Sequence, residues 1–202
     1  YALEMTRNAA AFVSAMKNAA LVGRALYLRP VERGDADDFQ TWMNDQDVVR
    51  NLLVHRPVTR DDEMRFTERA TSGGDPSEAV FAIVQRRGDL LIGTTGLHAI
   101  DWRRRTACFG IEIGRKEEWG KGYGTEATAL MVGYAFRALN LNRVWLNVYE
   151  FNERGIRAYE RVGFRREATL RQDCYRDGRF WDVHHMGILR AEWERAQRRK
   201  KR

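Results

Sequence analysis

Three glycines at alternate positions, Gly120, Gly122 and Gly124, follow a strand-like run over 109–114 and lead straight into a helical pattern. Glycine has no Cβ to hold a ligand away and tolerates positive φ, so the amides of such a loop can converge on one group. After Thr125 the apolar residues Ala127, Leu130, Met131, Tyr134, Ala135 and Leu139 recur at helical spacing. The run Trp119, Gly120, Lys121, Gly122, Tyr123, Gly124, Thr125 therefore meets a helix N terminus, where unpaired N–H groups and the dipole favour an anion. The chemistry that suits it is the holding of a diphosphate. No Lys-Ser/Thr pair follows a glycine, so a Walker loop is excluded, and the spacing is not that of GxGxxG. The later strand over 144–148 has no acidic residue to hold a ribose, so nucleotide hydrolysis and hydride transfer both lose ground.

Other chemistries find less. Cys108 and Cys174 lie far apart with no CxxC, which predicts reduced thiols and a cytoplasmic protein. His184 and His185 are neighbours in a strand-like run and point to opposite faces, so no metal site is expected. No apolar run reaches the length of a membrane span. The formal net charge is +7, but Arg195, Arg198, Arg199, Lys200, Lys201 and Arg202 supply most of it, and the remainder of the chain is close to neutral. Such a tail reads as a solvated end that could also touch a ribosome, and not as the mark of a nucleic-acid-binding protein.

At 202 residues the chain is long enough for one well-packed domain. Residues 1–24 read as an N-terminal extension, with a helix over 8–22 closed by Gly23. Its alanine-rich, acid-poor composition also permits a targeting segment. The domain proper is expected over 25–190, with a basic tail over 191–202. A strand over Leu26–Pro30 precedes a helix capped by Asp35 and carrying Phe39, Trp42 and Met43. Thr59 caps a second helix that turns Met64 and Phe66 inward. Strands over 79–85, 90–100 and Thr106–Ile113 form a meander that feeds the glycine loop and its helix. Then come a strand over Arg143–Tyr149, a helix over 152–162, and a hairpin over 164–189 turned by Asp177-Gly178. Helices covering both faces of a mixed, mostly antiparallel sheet make the class α+β, or mixed α/β.

The second motif begins at Asn147 and runs through Asn152, Gly155, Ile156, Tyr159, Gly163 and Phe164. Together with the glycine loop it resembles the GNAT superfamily of acyl-CoA-dependent N-acetyltransferases, whose loop has the form Q/R-x-x-G-x-G/A and whose later helix has the form N-x-x-A-I-x-x-Y-x-x-x-G-F. Trp119 stands where Gln or Arg is commoner, and Gly155 where Ala or Ser is commoner. The likeness covers about residues 25–190. Over 182–189 it is similar to the RimJ/RimL-type branch, named for ribosomal-protein N-terminal acetyltransferases, and spermidine acetyltransferases share much of the pattern.

The resemblance implies acetyl-CoA as cosubstrate and splayed strands that admit its thioester. The amides of Gly120 to Thr125 would hold the diphosphate, the edge of Ile111, Ile113, Gly114 and Arg115 would pair with the pantetheine arm, and Asn152 would bond the arm. Tyr159 would protonate the leaving thiolate and would also touch the cofactor. Strand alternation sets Glu112 opposite Phe109, Ile111 and Ile113, which makes it the candidate base, with His98 and Asp101 as runners-up. Asn147 is a candidate for polarising or positioning. The expected acceptor is a primary amine attacked directly, in first place a protein or peptide N terminus and in second place a small molecule such as a polyamine, aminoglycoside or amino acid. A non-catalytic acyl-CoA sensor is the rival from another class. Trp102 and Tyr175 could border an acceptor cleft, and Arg103, Arg104 and Arg105 near it would disfavour a polyamine. Edge strands and the N-terminal extension are compatible with a homodimer.

Overall fold

Apolar-rich runs over 79–85, 90–101 and 106–113 form consecutive strands, and a short 3-10 turn over Lys116–Glu118 carries the chain from the last of them into the glycine loop. The computed structural model describes residues 16–54, 56–72 and 75–200. Strands β1 (Leu21–Val22), β2 (Leu26–Pro30), β3 (Ala79–Gln85), β4 (Leu90–Asp101), β5 (Thr106–Ile113), β6 (Arg143–Tyr149), β7 (Arg165–Arg176) and β8 (Arg179–Leu189) join in one sheet. Their order is β1-β2-β3-β4-β5-β6-β8-β7. All neighbours are antiparallel except β5 and β6, which run parallel and pair only at Thr106–Arg143, Ala107–Val144 and Cys108–Trp145. Past Cys108 the two strands part.

Each face of the sheet has its own core. Helices α1 (Ala36–Met43), α2 (Gln46–Val49) and α3 (Arg60–Thr71) lie on one side, where Phe39, Trp42 and Val48 bury against Tyr27, Ala82 and Val84. Helices α4 (Tyr123–Arg137), α5 (Glu153–Val162) and α6 (Arg190–Lys200) lie on the other, around Met131, Phe136, Phe109, Leu146 and Phe164. Removing these apolar groups from water is the main favourable term in holding the layers together. The expected α+β sandwich is therefore present. Thr59 caps α3 reciprocally with Asp62, its side chain accepting from Asp62 N while the Asp62 carboxylate accepts from Thr59 N. Asp35 does precede α1, but its carboxylate is taken by Arg29 and by Glu32 N at 2.7 to 2.8 Å and does not cap the helix. The inward face of α3 carries Glu63, Phe66 and Thr67, and Met64 lies outside both cores.

Both ends of the chain differ from expectation. The part of the expected helix over 8–22 that falls on residues 8–15 lies outside the described residues. Residues 16–22 are a turn followed by β1, which pairs with β2, and Gly23 closes no helix. Its amide instead donates to Leu26 O at 2.9 Å, and a Cβ there would meet Glu126 Oε1 at 2.3 Å. The expected solvated tail is helical from Arg190 to Lys200. Trp193 anchors it, its ring 5.6 Å from that of Phe136 with Arg137 over it at 5.1 Å. One indole in a run of basic residues was too weak a signal to reveal that docking.

Candidate active site

The parting of β5 and β6 opens a cleft that runs from the glycine loop, past Ile111, Glu112 and Ile113, to Asn152, Ala158 and Tyr159. The loop forms one end. Gly120 and Gly122 take φ of +76° and +89°, and Gly122 is the N-cap of α4. A side chain at Gly122 would be strained in that left-handed conformation. No hydrogen bond engages the amides of Gly120, Lys121, Gly122, Tyr123, Gly124 or Thr125 among the described residues. Six consecutive free donors at the positive end of a helix make a cradle for an anion. The helix itself is anchored, since Thr128 Oγ1 donates to Gly124 O at 2.7 Å and the Tyr123 hydroxyl bonds Gln85.

Trp119 braces the loop by donating from Nε1 to Ile113 O at 2.7 Å, and the Arg154 guanidinium stacks 3.9 Å over its ring. Burial disfavours the charge on Arg154. The same side of α5 carries Ala158 and Arg161, so two cations face the cleft beside the loop. Sequence reasoning passed over Arg154 and Arg161, although their spacing of seven on a helix with Ala158 between them was the available sign. Asn152 caps α5, its Oδ1 accepting from Gly155 N at 2.9 Å. A Cβ at Gly155 would lie 2.7 Å from Asn152 Nδ2, which accounts for a glycine at that position.

Several of the groups expected to meet a ligand are engaged with the protein itself. Lys121 turns outward to Glu118 Oε2 at 3.0 Å, and Glu118 lines the cleft in its stead. The amides of Gly114 and Arg115 both donate to Ile92 O, so they cannot extend the β5 edge toward a ligand. Gly114 lies against Trp42, where a Cβ would meet the indole at 1.9 Å, and Arg115 Nε donates to Leu91 O. Asn147 is exposed and bonded to His185 Nδ1 at 2.9 Å, away from the cleft lining. Trp102 and Arg103 to Arg105 occupy the turn at the far end of the β4–β5 hairpin, seven residues along β5 from Glu112, with Trp102 Nε1 bonded to Pro76 O and Arg105 to Asn140. Distance along the strand removes them from the cleft. Tyr175 packs on Phe180 at the exposed tip of the β7–β8 hairpin.

Glu112 and Tyr159 both line the cleft, from opposite faces of the sheet. Strand alternation holds through β5: Phe109, Ile111 and Ile113 pack toward α4, and Glu112 faces the α1–α3 side with Cys108 and Gly110. The residue is only 8 % exposed, and its buried Oε1 has no hydrogen-bond partner among the described residues. Burial, with a smaller contribution from the charge of Glu63, pushes it up to about 8. Glu63, on the inner face of α3, is itself buried and raised by desolvation. No ion pair engages either acid among the described residues, and no sequence pattern connected them. Tyr159 packs edge-on against Phe109 at 6.2 Å and Phe164 at 6.0 Å, with no hydrogen bond to its hydroxyl among the described residues. Burial raises its phenol to about 12. A neutral phenol and a proton-accepting carboxyl thus flank one slot.

The outer wall comes from Val48, Asn51 and Leu52. Arg176 at the end of β7 clamps that segment, donating to Val49 O at 2.9 Å, to Leu52 O at 3.1 Å and to Arg50 O. Among the described residues no cluster of His, Cys, Asp and Glu could hold a metal, Cys108 and Cys174 are free thiols, and no helix is long and apolar enough to cross a membrane.

The family described as acetyltransferase (GNAT) domain matches residues 25–165. An uncharacterized N-acetyltransferase, p20 of Bacillus licheniformis, is 30% identical over 171 residues, covering 83% of this chain and 94% of that protein. A spermidine N(1)-acetyltransferase of Vibrio cholerae is 29% identical over 168 residues, covering 83% and 95%. The crystal structure of spermidine N-acetyltransferase from Vibrio cholerae in complex with CoA and spermine superposes with a TM-score of 0.76 at 28% identity, covering 84% of this chain and 98% of that one.

Proposed function

The chain belongs to the GNAT acetyltransferases, and from that premise we propose that it acetylates a small, linear, multiply charged amine of the polyamine class. It is an acetyl-CoA-dependent N-acetyltransferase of the GNAT type. Direct attack of an amine on the thioester requires the two to be held close and aligned. In our reading the amides of residues 120–125, with Arg154 and Arg161, take the phosphates, and the gap between β5 and β6 takes the pantetheine arm. Asn152 bonds the arm, Glu112 receives the proton of the amine, and Tyr159 returns one to the thiolate.

The observation that carries the acceptor assignment is the pair of buried acids, Glu112 and Glu63, neither of which is held in an ion pair among the described residues, although the charge of Arg69 acts on Glu63 from a distance. A buried charge is costly unless paired, and an ammonium group entering from the acceptor side would pair it. Two acids favour an acceptor with more than one positive charge. The arginine turn that argued against a polyamine stands at the far end of the hairpin and no longer bears on the choice. Similarity to a spermidine acetyltransferase over 83% of this chain points the same way.

Release of CoA thiol over a panel of polyamines, peptides with free N termini, aminoglycosides and amino acids tests the assignment. The highest kcat/KM is expected for a linear polyamine. A peptide N terminus leading the panel would instead favour the RimJ/RimL-type reading, and tight acetyl-CoA binding without thiol release on any amine would favour the sensor. The loop assignment has its own test. Gly122→Ala forces an L residue into a left-handed conformation at a cost of roughly 1–2 kcal/mol. About tenfold weaker binding of CoA is expected by calorimetry, with the melting temperature of the unliganded protein showing whether the fold is kept. Unchanged affinity would remove the loop from the diphosphate site.

A further inference from the structure

On the face of β4 and β5 that carries Glu112, Gly96 and Gly110 are cross-strand partners. The imidazole of His98 lies over both. A Cβ built on Gly96 would sit 3.0 Å from its Nε2 and 3.2 Å from its Cε1, and one built on Gly110 would sit 3.4 Å from Nε2 and 3.5 Å from Cδ2. A Cβ at Gly96 would crowd the ring by a few tenths of an ångström, and one at Gly110 would lie in van der Waals contact with it, so the ring rests directly on the glycine floor. Nε2 therefore leads across the glycine floor, and no hydrogen bond engages it among the described residues. The other nitrogen, Nδ1, faces Glu78 Oε1 at 3.5 Å. The next cross-strand pair on this face is Thr94 and Glu112, about 7 Å further along at the rise of an antiparallel strand. That spacing suits one small polar group between Nε2 and the Glu112 carboxyl.

Exposure is graded along this line. Glu112 is buried, whereas the side chains of His98 and Glu78 are 40% and 44% exposed. Of the other ionisable groups nearby, Glu63 on α3 is buried, raised by desolvation and acts on Glu112 through its charge, while two more are silent or occupied. Cys108, cross-strand from His98, is held protonated by burial, which pushes its thiol up to about 11. Asp101 accepts from Arg104 N at 2.7 Å in the hairpin turn.

We propose that His98 is a proton-relay residue, carrying the proton of the acceptor ammonium from Glu112 across the Gly96–Gly110 floor to Glu78 and solvent. This rests on the reading of Glu112 as the base. The ammonium gives one proton to the Glu112 carboxylate, Glu112 passes it through the one small polar group that the spacing admits, a water, to His98 Nε2, and the imidazolium releases its Nδ1 proton toward Glu78. An imidazole can do this because its two nitrogens exchange donor and acceptor roles. As the N–C bond forms and the C–S bond breaks, the second proton of the amine leaves with the thiolate. One proton per turnover therefore reaches solvent, and Glu112 is returned as the carboxylate.

Glutamine in place of His98 keeps a polar side chain on an exposed site but cannot relay a proton. For His98→Gln the expected result is a fall in kcat of about 10²-fold at neutral pH, the low end of acid–base contributions. KM for acetyl-CoA should be unchanged, and the defect should shrink as the pH rises and hydroxide takes over the acceptor role. Added imidazole should restore turnover to His98→Ala, a recovery that a packing role would not produce. Turnover equal to wild type at every pH, or a loss that imidazole leaves untouched, overturns the relay. A Glu112→Gln defect beside an intact His98→Gln enzyme would remove the relay alone. Wild-type protein that releases no thiol with any amine would remove the reading beneath it.

Discussion

Glu112→Gln is expected to lower kcat by about 10²–10⁴-fold, the range of general-base contributions, while making the protein harder to unfold. Both effects come from one carboxyl with a buried, unpartnered oxygen. Its raised value, about 8 against an ordinary 4.5, means that between those limits the folded protein keeps a proton that the unfolded chain has lost. Stability then falls as the pH climbs from 4.5 to 8, and the penalty is complete above 8. Below 4.5 both states are protonated and nothing is lost. The amide of glutamine is neutral throughout, so the variant escapes the penalty, by on the order of 1–3 kcal/mol if the cost resembles that of other unsatisfied buried groups. Melting curves of the two proteins should nearly coincide at pH 4 and separate by pH 9, with the variant higher. In the wild type, kcat/KM should rise with a midpoint of about 8, because an acceptor bound as ammonium adds its own bend only above its own pKa. A variant that melts lower at pH 9, or one that retains full turnover, would count against both the base and the origin of its shift.

Tyr159→Phe is expected to cost about 10²–10⁴-fold in kcat at constant KM for acetyl-CoA. The ring packs between Phe109 and Phe164, and phenylalanine keeps that packing, so only the hydroxyl is lost. With its phenol pushed up to about 12, Tyr159 stays protonated across any ordinary assay range and is a donor in the resting enzyme. A thiolate leaving toward it receives a proton as it forms. Single-turnover release of CoA thiol separates this from slow product release. A full-rate burst in Tyr159→Phe would assign the tyrosine to packing alone.

What could be read from the residues was largely local. Periodicity located β3, β5 and β6, the positive-φ turn at Asp177 and Gly178, and the Thr59 cap, since each depends on neighbours in sequence. The glycine loop and the α5 motif belong to that class. Alternation also oriented Glu112 correctly, because β5 has no bulge between Cys108 and Ile113. What escaped was long-range. Glu63 comes near Glu112 only because α3 packs across the sheet, and Arg176 clamps Leu52 from more than a hundred residues away. Asn147 was read as a site residue from its position at a strand end, but its cross-strand partner is His185, which holds it elsewhere. The place of the arginine turn was illegible for the same reason: nothing in its composition tells which end of a hairpin faces the cleft.

The fork in the sheet is also a ruler. Pairing of β5 with β6 stops at Cys108 and Trp145, and the depth of the slot is set by where that zipper ends. One more rung would shorten it by about 3.3 Å, and one fewer would lengthen it equally. Acyl groups that differ by a couple of carbons would therefore be sorted by the length of a hydrogen-bonded ladder, with no side chain acting as the gauge.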